Sequence, residues 1–255
     1  MDPAVLRDDM VDGLEEALSS ELVDEDVAMA MRTVPRHEFV GDRAYENRDS
    51  ERGGTRVLAP GTVARMLSGL DAEPGDDVLI VGAGVGYTAA VVADLVGDRH
   101  VHAVDINRSA VIDARENLRK AGCEAVLVDC RDGANGMAEY APFDCILVEA
   151  AAVRPPRVLL DQLADGGRLV MPMGGPEQTL VAVEASDDSE PSGFDVVDEY
   201  GPAAFNPILV DGEQAGGLSR NRMEREDREF AQQGYFAKSG WEYEWVDWDD
   251  RLDGR

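Results

Sequence analysis

The sequence predicts a doubly wound α/β fold: a mainly parallel sheet, with N-terminal helices before it and a C-terminal extension after it. Three observations predict this. From residue 75 onward, short β-branched runs alternate with helical stretches, and such repeated βα units give parallel strands with helices on both faces. The first of those strands ends in a glycine-rich turn that opens a helix. A hydrophobic share of 44% over 255 residues is enough to bury a substantial core.

Taken in order, residues 3 to 33 carry helical periodicity in two pieces, with Leu6, Met10, Leu14 and Leu18 on one face of the first. Pro35 ends that region, so residues 34 to 40 are expected to form an extended connector, and the polar, glycine-containing stretch 41 to 56 a loop. A short helix after Pro60 should turn Val63, Met66, Leu67 and Leu70 inward. The run 77–81 reads as a buried strand, 82–86 as the glycine turn, and 87–96 as a helix. A second strand over 100–104 ends at Asp105, and a helix over 109–120 is stopped by Gly122. Residues 125–128 and 143–148 give the third and fourth strands. A helix around 158–163 and a strand over 168–171 follow, and 178–184 and 194–199 add two strands with an antiparallel component. The expected division is a domain over 1–210, split into a helical region (1–74) and a core (75–210), followed by an extension over 211–255. In the extension a charged helix is expected over 221–233. Seven of the fifteen aromatic residues fall between Phe230 and Trp248, so this tail should pack on something.

The charge balance narrows the setting. There are 52 acidic against 24 basic residues, net -28, and only Lys120 and Lys238 among the basic ones are lysines. The acidity runs from Asp8 to Asp253, so it is not one acidic tail. An evenly acidic, lysine-poor chain of ordinary hydrophobicity reads as halophilic. At about 1 M salt the Debye length is about 3 Å, and self-repulsion is screened. No basic stripe favours duplex nucleic acid. Without a basic, apolar N-terminal leader or a run of 18 apolar residues, a cytoplasmic protein with no membrane partner is expected. Cys123, Cys130 and Cys145 match no zinc spacing and read as reduced core thiols; no metal is expected. The sequence leaves the oligomeric state open.

The strongest chemical signal is the segment from Val81 to Tyr87. Gly82 and Gly84 permit a tight turn and let a ligand approach the backbone around Ala83. Nineteen residues after Gly86, Asp105, followed by Ile106, is placed to accept hydrogen bonds from two ribose hydroxyls. A dinucleotide turn wants its third glycine at position 87, where Tyr87 stands. The glycine at 86 instead suits a cofactor with no pyrophosphate, which favours S-adenosylmethionine over NAD. Arg131, Asp132 and Gly133 follow the third strand, where an acid can accept from an adenine amine or simply make a surface turn.

Several motifs, in order, resemble the protein-L-isoaspartate O-methyltransferases. Residues 34–40 (VPRHEFV) resemble that family's VPR-x-x-FV opening, and 54–60 (GTRVLAP) fall where it carries GQTISQP. The segment 141–144 (APFD) with 149–152 (EAAA) is similar to APFD…TAAA. Residues 161–170 with Pro172 and Gly174 are similar to QL-x-x-GGRLV-x-P-x-G, and 205–208 (FNPI) resemble the closing F-V-P-L. The resemblance covers about residues 15 to 210. It implies the Rossmann-like fold of S-adenosylmethionine-dependent methyltransferases and methyl transfer to isoaspartyl carboxylates in damaged peptides or proteins, a repair activity. It also implies that Glu149 joins the cofactor-binding set of Gly82, Ala83, Gly84, Gly86, Tyr87, Asp105, Ile106, Arg131, Asp132 and Gly133. The sequence departs from the pattern at four places. Leu58 stands at the serine of TIS, Ile80 at an acid two residues before the first glycine, Arg131 at the first glycine of GDG, and Glu149 at a threonine. These changes lie mostly around the acceptor and the methionine end of the cofactor, and the ribose and adenine positions are kept. Arg56 or Thr55 could therefore take over from the missing serine beside Leu58, an arginine doing so bidentately. An already ionised carboxylate needs no general base, so His37, His100 and His102 read as structural. A sibling methyltransferase with another carboxylate acceptor, and a non-catalytic S-adenosylmethionine-binding adaptor, are the alternatives.

Overall fold

A computed structural model describes residues 2–18, 23–186 and 193–209. The expected helix over 221–233 and the aromatic cluster after Phe230 lie outside the described residues. The N-terminal periodicity becomes α1 (Pro3–Leu18) and α2 (Glu25–Thr33), burying Met10, Val11 and Leu14 from the first. Asp24 caps α2 by accepting from the Asp26 and Val27 amides.

Two expectations for the next stretch are corrected. The connector contains a one-turn helix, α3 (Arg36–Phe39). Pro35 restricts its own φ and the residue before it but leaves the residues after it free to turn, so only the two ends, Val34 and Val40, are extended. The Arg36 side chain fixes the turn, its Nε donating to the Ala44 carbonyl at 2.8 Å and its Nη2 to the Leu58 carbonyl at 2.7 Å. The expected loop 41–56 holds an antiparallel hairpin, β1 (Ser50–Arg52) and β2 (Thr55–Val57). Gly53 and Gly54 both have positive φ, which is what a two-residue turn of the primed type requires. Helix α4 (Pro60–Leu70) then starts on its proline and buries Val63, Met66, Leu67 and Leu70, as the pattern predicted.

The sheet is built from β3 (Val78–Val81), β4 (Val101–Asp105), β5 (Leu127–Cys130), β6 (Phe143–Val148), β7 (Leu163–Gly174), β8 (Gln178–Ala185) and β9 (Phe194–Ala203). Its spatial order is β5-β4-β3-β6-β7-β8-β9. The first five strands are parallel; β8 and β9 return antiparallel. Helices α5 (Tyr87–Val96) and α6 (Arg108–Ala121) complete the first crossovers, the second ending on Gly122 with positive φ. Strand β3 is buried on both faces, so its four apolar residues divide between two cores. Val78 and Ile80 belong to a core shared with α1, α2, α4, α5 and α6, while Leu79 and Val81 belong to one shared with β6, β7 and the short α7 (Arg157–Leu160).

Several boundaries move, among them the ends of β7 at Gly174 and of β9 at Ala203. Strand β5 runs 127–130 rather than 125–128, α7 is one turn, and Leu163 is strand because it pairs with Phe143 of β6. The reading of all three cysteines as core thiols holds only for Cys145. Cys123 is half-buried, and Cys130 is exposed at the end of the edge strand β5.

Candidate active site

Strand order runs from β3 toward β4 and β5 on one side and toward β6 and β7 on the other. The carboxyl ends of β3 and β6 therefore flank the crevice where doubly wound sheets bind ligands. The glycine turn lies there. Gly82, Gly84 and Gly86 all have positive φ. The amides of Gly82 and Ala83 donate to the Val104 carbonyl at 2.8 and 2.9 Å, tying the turn to β4. The Asn117 side chain donates to the Val85 carbonyl from α6 at 2.9 Å, fixing the far end of the turn.

Asp105 ends β4 beside this turn. One carboxylate oxygen accepts from the Gly84 amide at 2.9 Å and the other from the Asn107 amide at 2.8 Å. Burial pushes its carboxyl above the ordinary range, and the two amide donors pull it back. Next along the strand ends, Asp132 is buried and accepts from the Ala134 amide. Gly133 sits so close to Val81 that a Cβ there would lie 2.4 Å from Val81 Cγ1. The Arg131 guanidinium is held by Asp129 at 2.6 Å and Glu139 at 2.7 Å, and Ile106 is half-buried. The residues expected on the nucleoside side thus follow the ends of β4 and β5, from Asp105 to Asp132, with Arg131 committed to carboxylates of its own.

On the other side of the turn, a cleft is lined by Leu58, Arg56, Arg36, Gly84, Tyr87 and Glu149, among others. Tyr87 is buried with its ring 4.3 Å beneath the Arg36 guanidinium and edge-on to Phe39, so its side chain forms a wall of this cleft. Leu58 is buried. Arg56 Nε and Nη2 donate to Asp49 Oδ2 at 2.9 and 2.5 Å, and its guanidinium lies 5.5 Å from the Phe205 ring centre. The Thr55 methyl approaches Gly84, with 3.9 Å to the position a Cβ would take. Glu149, directly after β6, packs its stem against Gly82, where a Cβ would fall 3.2 Å from Glu149 Cβ. Its Oε1 is shut off from solvent and has no hydrogen-bond partner. Burial pushes the Glu149 carboxyl up to about 7; the Thr88 hydroxyl and the Arg36 and Arg56 guanidiniums pull downward, and Asp105 adds to the rise.

The match to known proteins follows this geometry. A model of the protein-L-isoaspartate(D-aspartate) O-methyltransferases matches residues 8–199. The chain belongs to this family. It is a methyltransferase that uses S-adenosylmethionine. A protein-L-isoaspartate O-methyltransferase of Aeropyrum pernix is 46% identical over 171 residues, covering 64% of this chain and 65% of that protein. Protein-L-isoaspartate O-methyltransferase 2 of Polaromonas sp. is 42% identical over 193 residues, covering 73% and 89%. Among solved structures, a protein-L-isoaspartate O-methyltransferase of Plasmodium falciparum, in complex with S-adenosyl-L-homocysteine, superposes with a TM-score of 0.69. It is 21% identical and covers 80% of this chain and 99% of that one, which shows the shared fold.

The residues present fit the family's cofactor. The backbone at Gly84 is open to close approach, with no neighbour nearer than 3.9 Å to the position of a Cβ, and the Asp105 carboxylate is fixed beside it. The Glu149 carboxyl, its Oε1 unpartnered, faces the other side of the turn. The sequence pattern assigned no site role to Arg36 or Thr88, yet both line the cleft. For Arg36 the signal was in hand, since a buried arginine within an apolar motif must find carbonyl or charged partners. Thr88 lies two residues past the turn and carried no signal of its own. Among the described residues no group of His, Cys, Asp or Glu is arranged to hold a metal, and no helix is long and apolar enough to cross a membrane.

Proposed function

We propose that this chain repairs aged proteins by methylating the free carboxylate of isoaspartyl residues. The observation that carries the reading is the cleft between the glycine turn and β2, which joins the cofactor side of the site to Arg56, Thr55 and Leu58. When bound, S-adenosylmethionine supplies an electrophilic methyl group on a positively charged sulfur. The chain's own work is to bind and align. An acceptor carboxylate is ionised at neutral pH, so no side chain has to remove a proton. Alignment of two reactants can contribute about 7–11 kcal/mol. Asp105 takes the ribose hydroxyls, Asp132 takes the adenine amine, and the backbone of Gly82, Ala83, Gly84 and Gly86 lines the path between. Ile106 and Gly133 shape the adenine slot, Arg131 braces that corner through Asp129, and Tyr87 walls the cleft from below. Val57 and Leu58 keep water from the reacting atoms.

Arg56, with Thr55 beside it, takes the acceptor carboxylate. Its pairing with Asp49 engages Nε and Nη2, which leaves Nη1 as the donor for an incoming carboxylate. Leu58 supports a second reading, in which the acceptor is a carboxylate in another setting, because a buried leucine offers no hydrogen bond where a serine hydroxyl would. The even surplus of acid over base supports work in molar salt, inside the cytoplasm. The test is to incubate the purified chain with methyl-labelled S-adenosylmethionine and an isoaspartyl peptide. Base-labile label on the peptide is expected. Label absent from it, with cofactor bound, moves the assignment to the second reading.

A further inference from the structure

The sheet order fixes the direction in which the cofactor must lie. Asp105 is at the end of β4, the glycine turn at the end of β3, and Glu149 just past the end of β6. With its ribose on Asp105, a bound cofactor would cross Gly82 and Gly84 and direct its amino-acid arm toward β6. That arm ends in one ammonium and one carboxylate group. The groups that face its end are Glu149, the Thr88 hydroxyl from α5, Arg36 from α3 and Arg56 from β2, with Asp105 across the turn. Among the described residues that line the cleft, Glu149 is the one acid; Asp49 does not line it and is paired with Arg56.

We propose that Glu149 is the receptor for the α-ammonium group of S-adenosylmethionine. Three observations support this, resting on the cofactor assignment above. Glu149 Oε1 is inaccessible to water and unpartnered, an arrangement that is costly unless a ligand completes it. Its stem lies against Gly82, the residue over which the arm must pass. Ile80, two residues before that glycine, is fully buried and aliphatic, so β3 offers no acid for the ammonium. Arg36 and Arg56 sit where they can balance the carboxylate of the same arm and of the acceptor. Before the ammonium arrives, burial keeps the Glu149 proton on up to about pH 7. An incoming cation favours the ionised form, so binding releases that proton.

The test is isothermal titration of the full chain with S-adenosylhomocysteine, which carries the whole arm, and with 5′-methylthioadenosine, which lacks it. In wild type at pH 7, S-adenosylhomocysteine should release about half a proton, read by comparing buffers of different ionisation enthalpy. 5′-Methylthioadenosine should release none. In Glu149→Gln, S-adenosylhomocysteine should bind about 10- to 100-fold more weakly, on the scale of one lost charge-assisted hydrogen bond, without the proton. 5′-Methylthioadenosine should bind as before. Equal weakening of both ligands, or proton release that persists in the variant because it comes from Asp105, overturns the assignment. If the variant does not fold, wild type alone decides: affinity for S-adenosylhomocysteine must tighten from pH 6 to 8 while that for 5′-methylthioadenosine stays flat. Failure of wild type to bind either nucleoside would instead remove the cofactor assignment on which the proposal rests.

Discussion

A buried carboxyl that holds its proton to about pH 7 makes this fold's stability depend on pH in a way one substitution can isolate. In the folded chain Glu149 titrates at about 7, against an ordinary 4.5. Below pH 4.5 both folded and unfolded chains keep the proton, and the group's favourable contribution is fully present. Between 4.5 and 7 the unfolded chain loses the proton while the folded chain retains it, so stability falls as pH rises. Above 7 both are ionised and the loss is complete. A gap of about 2.5 pH units corresponds to at most about 3 kcal/mol. That is a large part of a typical 5–15 kcal/mol stability. Glu149→Gln keeps the shape and removes the titration. Urea denaturation of both proteins at one molar potassium chloride, from pH 4.5 to 7.5, gives the difference curve, in which carboxylates remote from Glu149 cancel. The variant should gain up to about 3 kcal/mol on wild type across that window, or roughly 6–12 °C in Tm near neutral pH. A difference curve flat to within about 0.5 kcal/mol, the spread of an ordinary surface substitution, would refute the argument.

Other substitutions test neighbouring parts of the site. Gly133→Ala places a Cβ against Val81 Cγ1 and should cost about 1–3 kcal/mol in chemical denaturation, with part of the loss recovered by adding Val81→Ala. Arg36→Ala strands the Ala44 and Leu58 carbonyls and should lower stability by about 2–4 kcal/mol; a loss under about 1 kcal/mol would show that Arg36 does not hold the segment over the cleft. Arg56→Ala should raise the acceptor KM about tenfold or more while leaving the Kd for S-adenosylhomocysteine unchanged, as steady-state kinetics and titration would show. An unchanged acceptor KM would exclude Arg56 as the carboxylate's partner.

Much of this layout was legible in the chain because it rests on local rules. The VLIV run followed by three closely spaced glycines gave β3, the turn and α5. The spacing to Asp105 gave the end of β4, where the carboxylate does meet the Gly84 amide. What escaped was set by contacts distant in sequence. The hairpin over 50–57 depends on Gly53 and Gly54 turning together, and it looks like a polar loop when each residue is read alone. The turn at 36–39 depends on Arg36 reaching carbonyls 8 and 22 residues away. Arg56 read as a free donor, and only the folded chain shows Asp49 holding it. The isolation of the Glu149 carboxyl was also beyond the sequence, because it arises where Gly82, Thr88 and two arginines from separate segments converge.

The central claim is that this cleft transfers a methyl group to isoaspartyl carboxylates although a leucine stands at position 58. The most direct measurement is kcat/KM for an isoaspartyl peptide and its aspartyl twin, with labelled S-adenosylmethionine in molar potassium chloride. The account predicts turnover on the isoaspartyl peptide and at least about a hundredfold lower kcat/KM on the twin, the discrimination expected when a site is built around one carboxylate position. Equal rates on both peptides, or turnover on neither while S-adenosylmethionine is bound, would contradict it.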